Sequence, residues 1–225
     1  MTNSPMSRSE ESLRASAPTW TQGAWRRAGR SIDGGPSVEP SDVLWLQVGT
    51  HFADLRLPRD GGAVSDVYDR PQAFSGVLHV DEAADSPIAL WIHDLDTITD
   101  RAGVVDRATL RPLPTAMQPE ALDEEGPGYQ ESWQKVSVDP HASDVVLERR
   151  DSPNVLTARI VSTSGLAIAV WAGDHPGGEW LDLTDPNSGV RQVGDDDHRF
   201  SLDDALATIR TGGHLPRGWR RVERE

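Results

Sequence analysis

The sequence predicts an all-β fold, an antiparallel barrel or sandwich, carrying one α-helix in its C-terminal region. Three observations predict it. Short runs of alternating apolar and polar residues recur along most of the chain. Turn signals rich in Gly, Pro and Asp separate those runs about every eight to twelve residues. A single clear helical pattern comes late, at Leu202 to Arg210. Strands do not alternate with helices, which excludes a doubly wound α/β sheet.

Taken in order, residues 1–18 are rich in Ser, Arg and Glu and form an expected disordered tail. Trp20 to Ser31 alternates around Trp25 and reads as a first strand. Val43 to Arg59, VLWLQVGTHFADLRLPR, reads as one long strand or as two broken at Gly49. A glycine there signals a bulge or a barrel corner. Ala73 to Asp81 and Pro87 to Asp96 alternate cleanly, and Thr109 to Leu113 is a shorter candidate. Pro119 to Gly128 reads as an acidic loop, and Tyr129 to Val138 as the strand after it. Asp144 to Arg149, Leu156 to Ser162 and the fully apolar Leu166 to Ala172 follow, the last expected to be buried on both faces. Ser164-Gly165 has the composition of a hairpin turn, GDHPGGEW that of a turn, and a strand starts at Trp180. Ser201 is a good N-cap for the helix, Asp203 and Asp204 suit its positive end, and Gly212 stops it. LPRGWRRVE closes the chain as a strand. The body is then residues 19–225, as one barrel or as two half-barrels or small barrels, 19–138 and 139–225.

The chain has 225 residues, 36% of them hydrophobic, and a mean hydropathy of −0.51. Much of it must be surface and loop. A net charge of −14 argues against nonspecific binding to nucleic acid or to anionic membranes. With no cysteine, disulfides, thiolate metal sites and a cysteine nucleophile are excluded. The N-terminal residues lack an apolar signal segment and no window is long enough to span a bilayer, so a cytoplasmic protein is expected. Eight tryptophans stand against three phenylalanines and two tyrosines. Trp45, Trp91, Trp133 and Trp171 fall in candidate strands, where they fill a core or line an apolar pocket.

The stretch from Val43 organises the rest. Leu44, Leu46 and Val48 share one strand face, and Trp45 and Gln47 the other. Beyond Gly49, Phe52, Asp54 and Arg56 alternate with Ala53, Leu55 and Leu57. Two arrangements satisfy this pattern. In the commoner one the aliphatic row is core and the polar row is wet. In the other the aliphatic row packs outward under a second layer, and the polar row lines a barrel lumen. Along Pro87 to Asp96, Ala89, Trp91, His93 and Leu95 share a face. So do Tyr129, Glu131, Trp133 and Lys135 further on.

The residues Trp45, Leu46, Gln47, Asp54, Arg56, Trp91, His93, Glu131 and Trp133, in the runs WLQVGTHFADLRLP, LWIHDLD and YQESWQKV, give the chain a pattern that resembles calycin-like, or lipocalin-like, barrels, closest in style to two-barrel proteins. The similarity spans roughly half the chain. It implies an internal cavity for a small molecule.

If the three polar rows turn inward, Asp54, Arg56, His93 and Glu131 share the lumen. Such a set supports acid–base chemistry without a cofactor: His93 or Glu131 as acid or base, Arg56 as anion anchor and Asp54 as its orienter. Trp45, Gln47, His51, Trp91, Tyr129 and Trp133 are then the candidate ligand contacts. The opposing reading is an exposed, salt-bridged sheet face. No His-x-His pair supports a strand-borne metal site, and no metal or other cofactor is expected. The acidic runs DLDTITD and GDDDH read as solvated turns, lacking a calcium-loop pattern. No glycine-rich phosphate loop or nucleophile elbow is present. The expected function is a cofactor-free lyase, isomerase or cyclase acting on a small, largely apolar organic molecule. The alternatives are a noncatalytic binder of such a ligand and an interaction protein. Oligomeric state is not set by the sequence.

Overall fold

The computed structural model describes residues 17–59, 70–98, 101–113, 120–136, 144–185, 191–194 and 203–222. Eight antiparallel strands form a closed up-and-down barrel: β1 (Gly23–Ile32), β2 (Ser41–Val48), β3 (His51–Pro58), β4 (Gln72–Asp81), β5 (Ile88–Asp96), β6 (Val105–Leu113), β7 (Ala121–Gly126) and β8 (Tyr129–Lys135). Each pairs with its sequence neighbour, and β8 returns to β1. The later strands are β9 (Val145–Ser152), β10 (Val155–Thr163), β11 (Leu166–Trp171), β12 (Gly177–Asp182), β13 (Arg191–Val193) and β14 (Trp219–Arg221). They make an antiparallel sheet in the order β13-β12-β11-β10-β9-β14, so among the described residues the second half is a sheet and not a second closed barrel. Helix α1 (Asp203–Thr211) lies between β13 and β14 in the chain. The expected tail to residue 16, the Ser201 cap and the acidic run 195–198 lie outside the described residues.

Alternation decides the layers. Leu44, Leu46, Val48, Ala53 and Leu55 point away from the lumen and pack with Val146, Val161, Leu166, Ile168 and Val170 of the sheet. The other faces of β2 and β3, with Val43, Trp45 and Phe52, join Trp25, Leu78, Trp91, Leu110, Leu122 and Trp133 inside the barrel. The aliphatic row therefore packs outward under a second layer and the polar row turns inward. β11 is buried along its whole length, as its unbroken apolar run predicts. Ala167, Ala169 and Trp171, on its far side, pack with Ala205 and Leu206 of α1. Gly212, at φ 68°, ends that helix by donating its N–H to the Thr208 carbonyl.

Several local expectations are corrected. Gly49 is neither a bulge nor a corner. Val48 faces His51, and Gly49-Thr50 is a tight hairpin turn with Gly49 at φ 56°. The first strand starts at Gly23, after a short 3-10 turn at Thr19–Thr21. Ala121–Gly126, expected within a loop, is strand β7. Its Pro127-Gly128 turn, with Gly128 at φ 78°, folds it directly onto β8. GGEW belongs to β12 and not to a turn. Leu95 does not share a face with His93. The ladder pairs Ser75 with Leu95 and Gly76 with His93, leaving Asp94 as an extra residue. That bulge sends Leu95 out to the sheet and leaves Asp96 beside His93. Asp96 is therefore buried in β5 and not part of a solvated turn. Ser164-Gly165, at φ 55° and 80°, is the tight hairpin turn its composition predicts.

Candidate functional site in the barrel lumen

One end of the lumen is packed with indoles. Trp25 stacks on Trp45 at 5.9 Å between centroids, and Trp91 and Trp133 meet Trp45 edge-on at 6.2 and 5.6 Å. The ladder causes this, because Trp25 faces Trp45 across β1 and β2. The Trp25 indole donates to the Thr21 carbonyl of the 3-10 turn, which ties that turn to the indole layer. Gln47 accepts from the Trp45 indole at 3.2 Å and donates to the Gly49 carbonyl at 2.8 Å.

Beside these rings lies a cavity of about 510 Å³, within the ordinary range for a small-molecule site. Trp45, Trp91, Trp133, Phe52 and Phe74 form its apolar wall, and Arg30, Asp54, Arg56, Glu124, Tyr129 and Glu131 its polar wall. Ile32 and Val105 also line it and are 42% and 49% exposed. Large apolar side chains this open are few, so these two mark an apolar lip where the cavity meets solvent.

The polar wall is assembled by register. Glu124 of β7 pairs with Glu131 of β8, and Arg30 of β1 pairs with Glu131 from the other side. Arg27 is fully buried and donates to Glu131 at 2.6 Å and to Glu39 at 2.8 Å. Burial opposes its charge, but Glu131 and Glu39 outweigh that and hold its pKa above the ordinary value. Arg56 donates to both oxygens of Asp54, at 2.8 and 3.4 Å. Burial pushes the Asp54 carboxyl up, against the pull of Arg56.

Glu124 differs from its neighbours. It has no basic side chain within ion-pair distance among the described residues. It accepts instead from the Tyr129 hydroxyl at 2.8 Å and the Trp133 indole at 3.1 Å. Burial, and then the charge of Glu131, push it up to about 8. Tyr129 is raised as well, by burial and by the adjacent Glu124 carboxylate.

Of the residues expected at the site, Asp54, Arg56, Glu131, Trp45, Trp91, Tyr129 and Trp133 line the cavity. Gln47 and His51 do not, and Gln47 instead holds an indole. His93 is buried behind Phe74, whose ring stacks on it at 4.5 Å. Its Nδ1 lies 2.9 Å from Asp96 and its Nε2 3.3 Å from Asp106. Burial lowers its pKa, but Asp106 and Asp96 outweigh that and raise it. Asp106, which does line the cavity, is lowered by His93 and Arg101 in spite of its own burial. Glu124, Arg27 and Arg30 were not among the expected residues. The sequence does hold a signal for Glu124, since EEGPGYQ is a tight-turn pattern with alternation on both sides.

No family model and no curated protein matches this chain. A solved structure does. The crystal structure of an uncharacterized protein of Saccharomyces cerevisiae, YLR301w, superposes with a TM-score of 0.56 at 12% identity, over 76% of this chain and 84% of that one. At that identity the likeness is one of fold.

Among the described residues, no cluster of His, Asp and Glu could hold a metal ion. No described helix is long and apolar enough to cross a membrane.

Proposed function

We propose that the lumen binds a small, partly aromatic organic molecule and performs cofactor-independent acid–base chemistry on it, of the lyase, isomerase or cyclase type. On this reading the barrel is a cytoplasmic relative in design of the calycin-like proteins, with a working cavity and no nucleic-acid or membrane partner. One observation carries it. Two carboxylates, Glu124 and Glu131, face each other across one rung of the ladder on the wall of an open cavity, in unlike surroundings. Glu131 is fixed by arginines. Glu124 is held by neutral donors and is pushed up to about 8 by burial and by the charge of Glu131. Groups set apart in this way divide acid and base work. Glu124 is the one whose proton changes hands near neutral pH. Arg56, aimed by Asp54, steadies negative charge as it develops. His93 holds Phe74 and Asp106 in place from behind the wall.

The second reading is a noncatalytic binder. It is favoured by the pairing already made by Asp54 and Glu131 within the protein. Denaturing the purified protein and identifying released molecules by mass spectrometry supplies the ligand, which is then tested for turnover. Glu124→Gln is expected to abolish turnover and keep the fold. A captured ligand that leaves chemically unchanged, with the native protein as with the variant, rejects the enzyme reading in favour of the binder.

A further inference from the structure

Resting on the lumen as a small-molecule site, we infer that its ligand carries a protonated nitrogen, an ammonium or amidinium attached to an aromatic or otherwise flat apolar body, and that this cation sits between Glu124 and the indoles of Trp45, Trp91 and Trp133.

The argument starts from charge pairing. Five carboxylates line the cavity: Asp33 is exposed, Arg101 holds Asp106, and Asp54, Glu124 and Glu131 belong to the buried polar wall. Arg56 holds Asp54, and Arg27 with Arg30 holds Glu131. Glu124 is left with two neutral donors, one on each oxygen. A carboxylate has about four lone-pair sites, so each oxygen retains room for another N–H. These two donors fix the direction of the group, and Arg56, which is bonded to Asp54, eases its charge only from a distance. Ionising a buried carboxyl in that state is costly, so Glu124 keeps its proton at neutral pH, and a cation delivered by the ligand is what would let it ionise. The walls suit the same guest. Indole faces attract cations most strongly among the aromatic side chains, and three indoles line the cavity together with the Tyr129 ring.

An anionic ligand fits poorly. It would have to take Arg56 from Asp54, Arg30 from Glu131 or Arg101 from Asp106, or settle for the exposed Arg107, and it would oppose ionisation of Glu124. A neutral ligand leaves Glu124 protonated and draws nothing from its ionisation. Recognition and chemistry are then one event. The arriving cation stabilises the Glu124 carboxylate, which gives up its proton to solvent and stands as a base beside the ligand nitrogen.

The experiment compares three probes of one shape: phenethylamine, 2-phenylethanol and phenylacetate. Binding is followed by calorimetry at pH 7 in two buffers of different ionisation enthalpy. Phenethylamine is expected to bind at least tenfold more tightly than the alcohol, with the acid weakest. Its binding should release protons, as a fraction of one per site. Glu124→Gln should remove both the tenfold preference and the proton release, while 2-phenylethanol binds as before. That last measurement reports an intact lumen. Equal binding of amine and alcohol, or amine binding without proton release, overturns the inference and leaves the lumen reading standing. Failure of all three probes to bind the native protein overturns both.

Discussion

At the scale of single residues, Glu124 is the most consequential group in the lumen, and its cost to the fold depends on pH. Its folded pKa, about 8, lies above the ordinary carboxylate value of 4.5. Between those two values the folded protein keeps a proton that the unfolded chain has released. Stability therefore falls as pH rises from about 4.5 to about 8, by up to about 1.4 kcal/mol per pH unit for one proton. Glu124→Gln removes the ionisation. The variant should gain on the native protein steadily from pH 5 to about pH 8 in chemical denaturation and level off above it, and a difference that stays flat from pH 5 to about pH 8 rejects the assignment. His93 contributes a slope of the same sign by the opposite route. Its pKa is raised by Asp106 and Asp96 over the effect of burial. Its stabilising share is complete below the ordinary histidine value and disappears as pH climbs through the raised one. The slope that remains in Glu124→Gln should therefore shrink again when His93→Asn is added.

At the scale of elements, the barrel depends on where its ladders break. β4 and β5 slip by one residue at Asp94, and Gly76 lies opposite the slip. A Cβ at Gly76 would overlap the Ile92 carbonyl oxygen, which is backbone and cannot step aside. Gly76→Ala should therefore cost about 3 kcal/mol, at the upper end for overpacking, and should disturb His93 and Asp96 before the indole layer. Thermal melts, with the His93 ring resonances as a local probe, check both parts. Unshifted His93 signals in a destabilised variant would mean the bulge does not depend on this glycine. These breaks also mark what sequence reading could reach. The row of Trp45, Asp54 and Arg56 was legible, though not that it turns inward, because a two-residue turn at Gly49 preserves the alternation across β2 and β3. The Asp94 bulge was not legible, since only the partner strand reveals the missing rung, and it separates Leu95 from His93. Arg30 was hidden in the same way by the slip between Arg27 and Gly29. Glu124 was lost to composition: ALDEEG has too many charges to look like a strand, although Leu122 and Glu124 alternate correctly.

At the scale of the whole molecule, the sheet is the barrel's outer wall and not an appendage. The outward faces of β2 and β3 are aliphatic, and they are covered by β10 and β11. One polar knot crosses that apolar seam. Arg159 of β10 is buried and donates to Glu148 of β9 at 2.7 Å, to Asp94 of the barrel at 2.7 Å and to Ser75 of β4 at 3.4 Å. Arg150 and Arg220 also donate to Glu148. Burial disfavours the Glu148 charge, but the hydrogen bonds from Arg159, Arg220 and Arg150 outweigh it and hold the group down to about 2. Its contribution is thus present above the ordinary value of 4.5 and lost as pH falls toward about 2. Because barrel and sheet share one apolar seam, they should unfold in a single transition at neutral pH. Arg159→Met keeps the length of the side chain and removes its charge. Glu148 retains two arginines, so the loss should be about 2 kcal/mol, below the usual cost of breaking a buried pair, and it should be largest near neutrality and fade below pH 4. Denaturant unfolding followed by the His93 ring resonances for the barrel and by circular dichroism for both parts tests this. Transitions that coincide in the native protein support a shared seam. Two separated transitions in the native protein would show that the sheet folds independently of the barrel it covers.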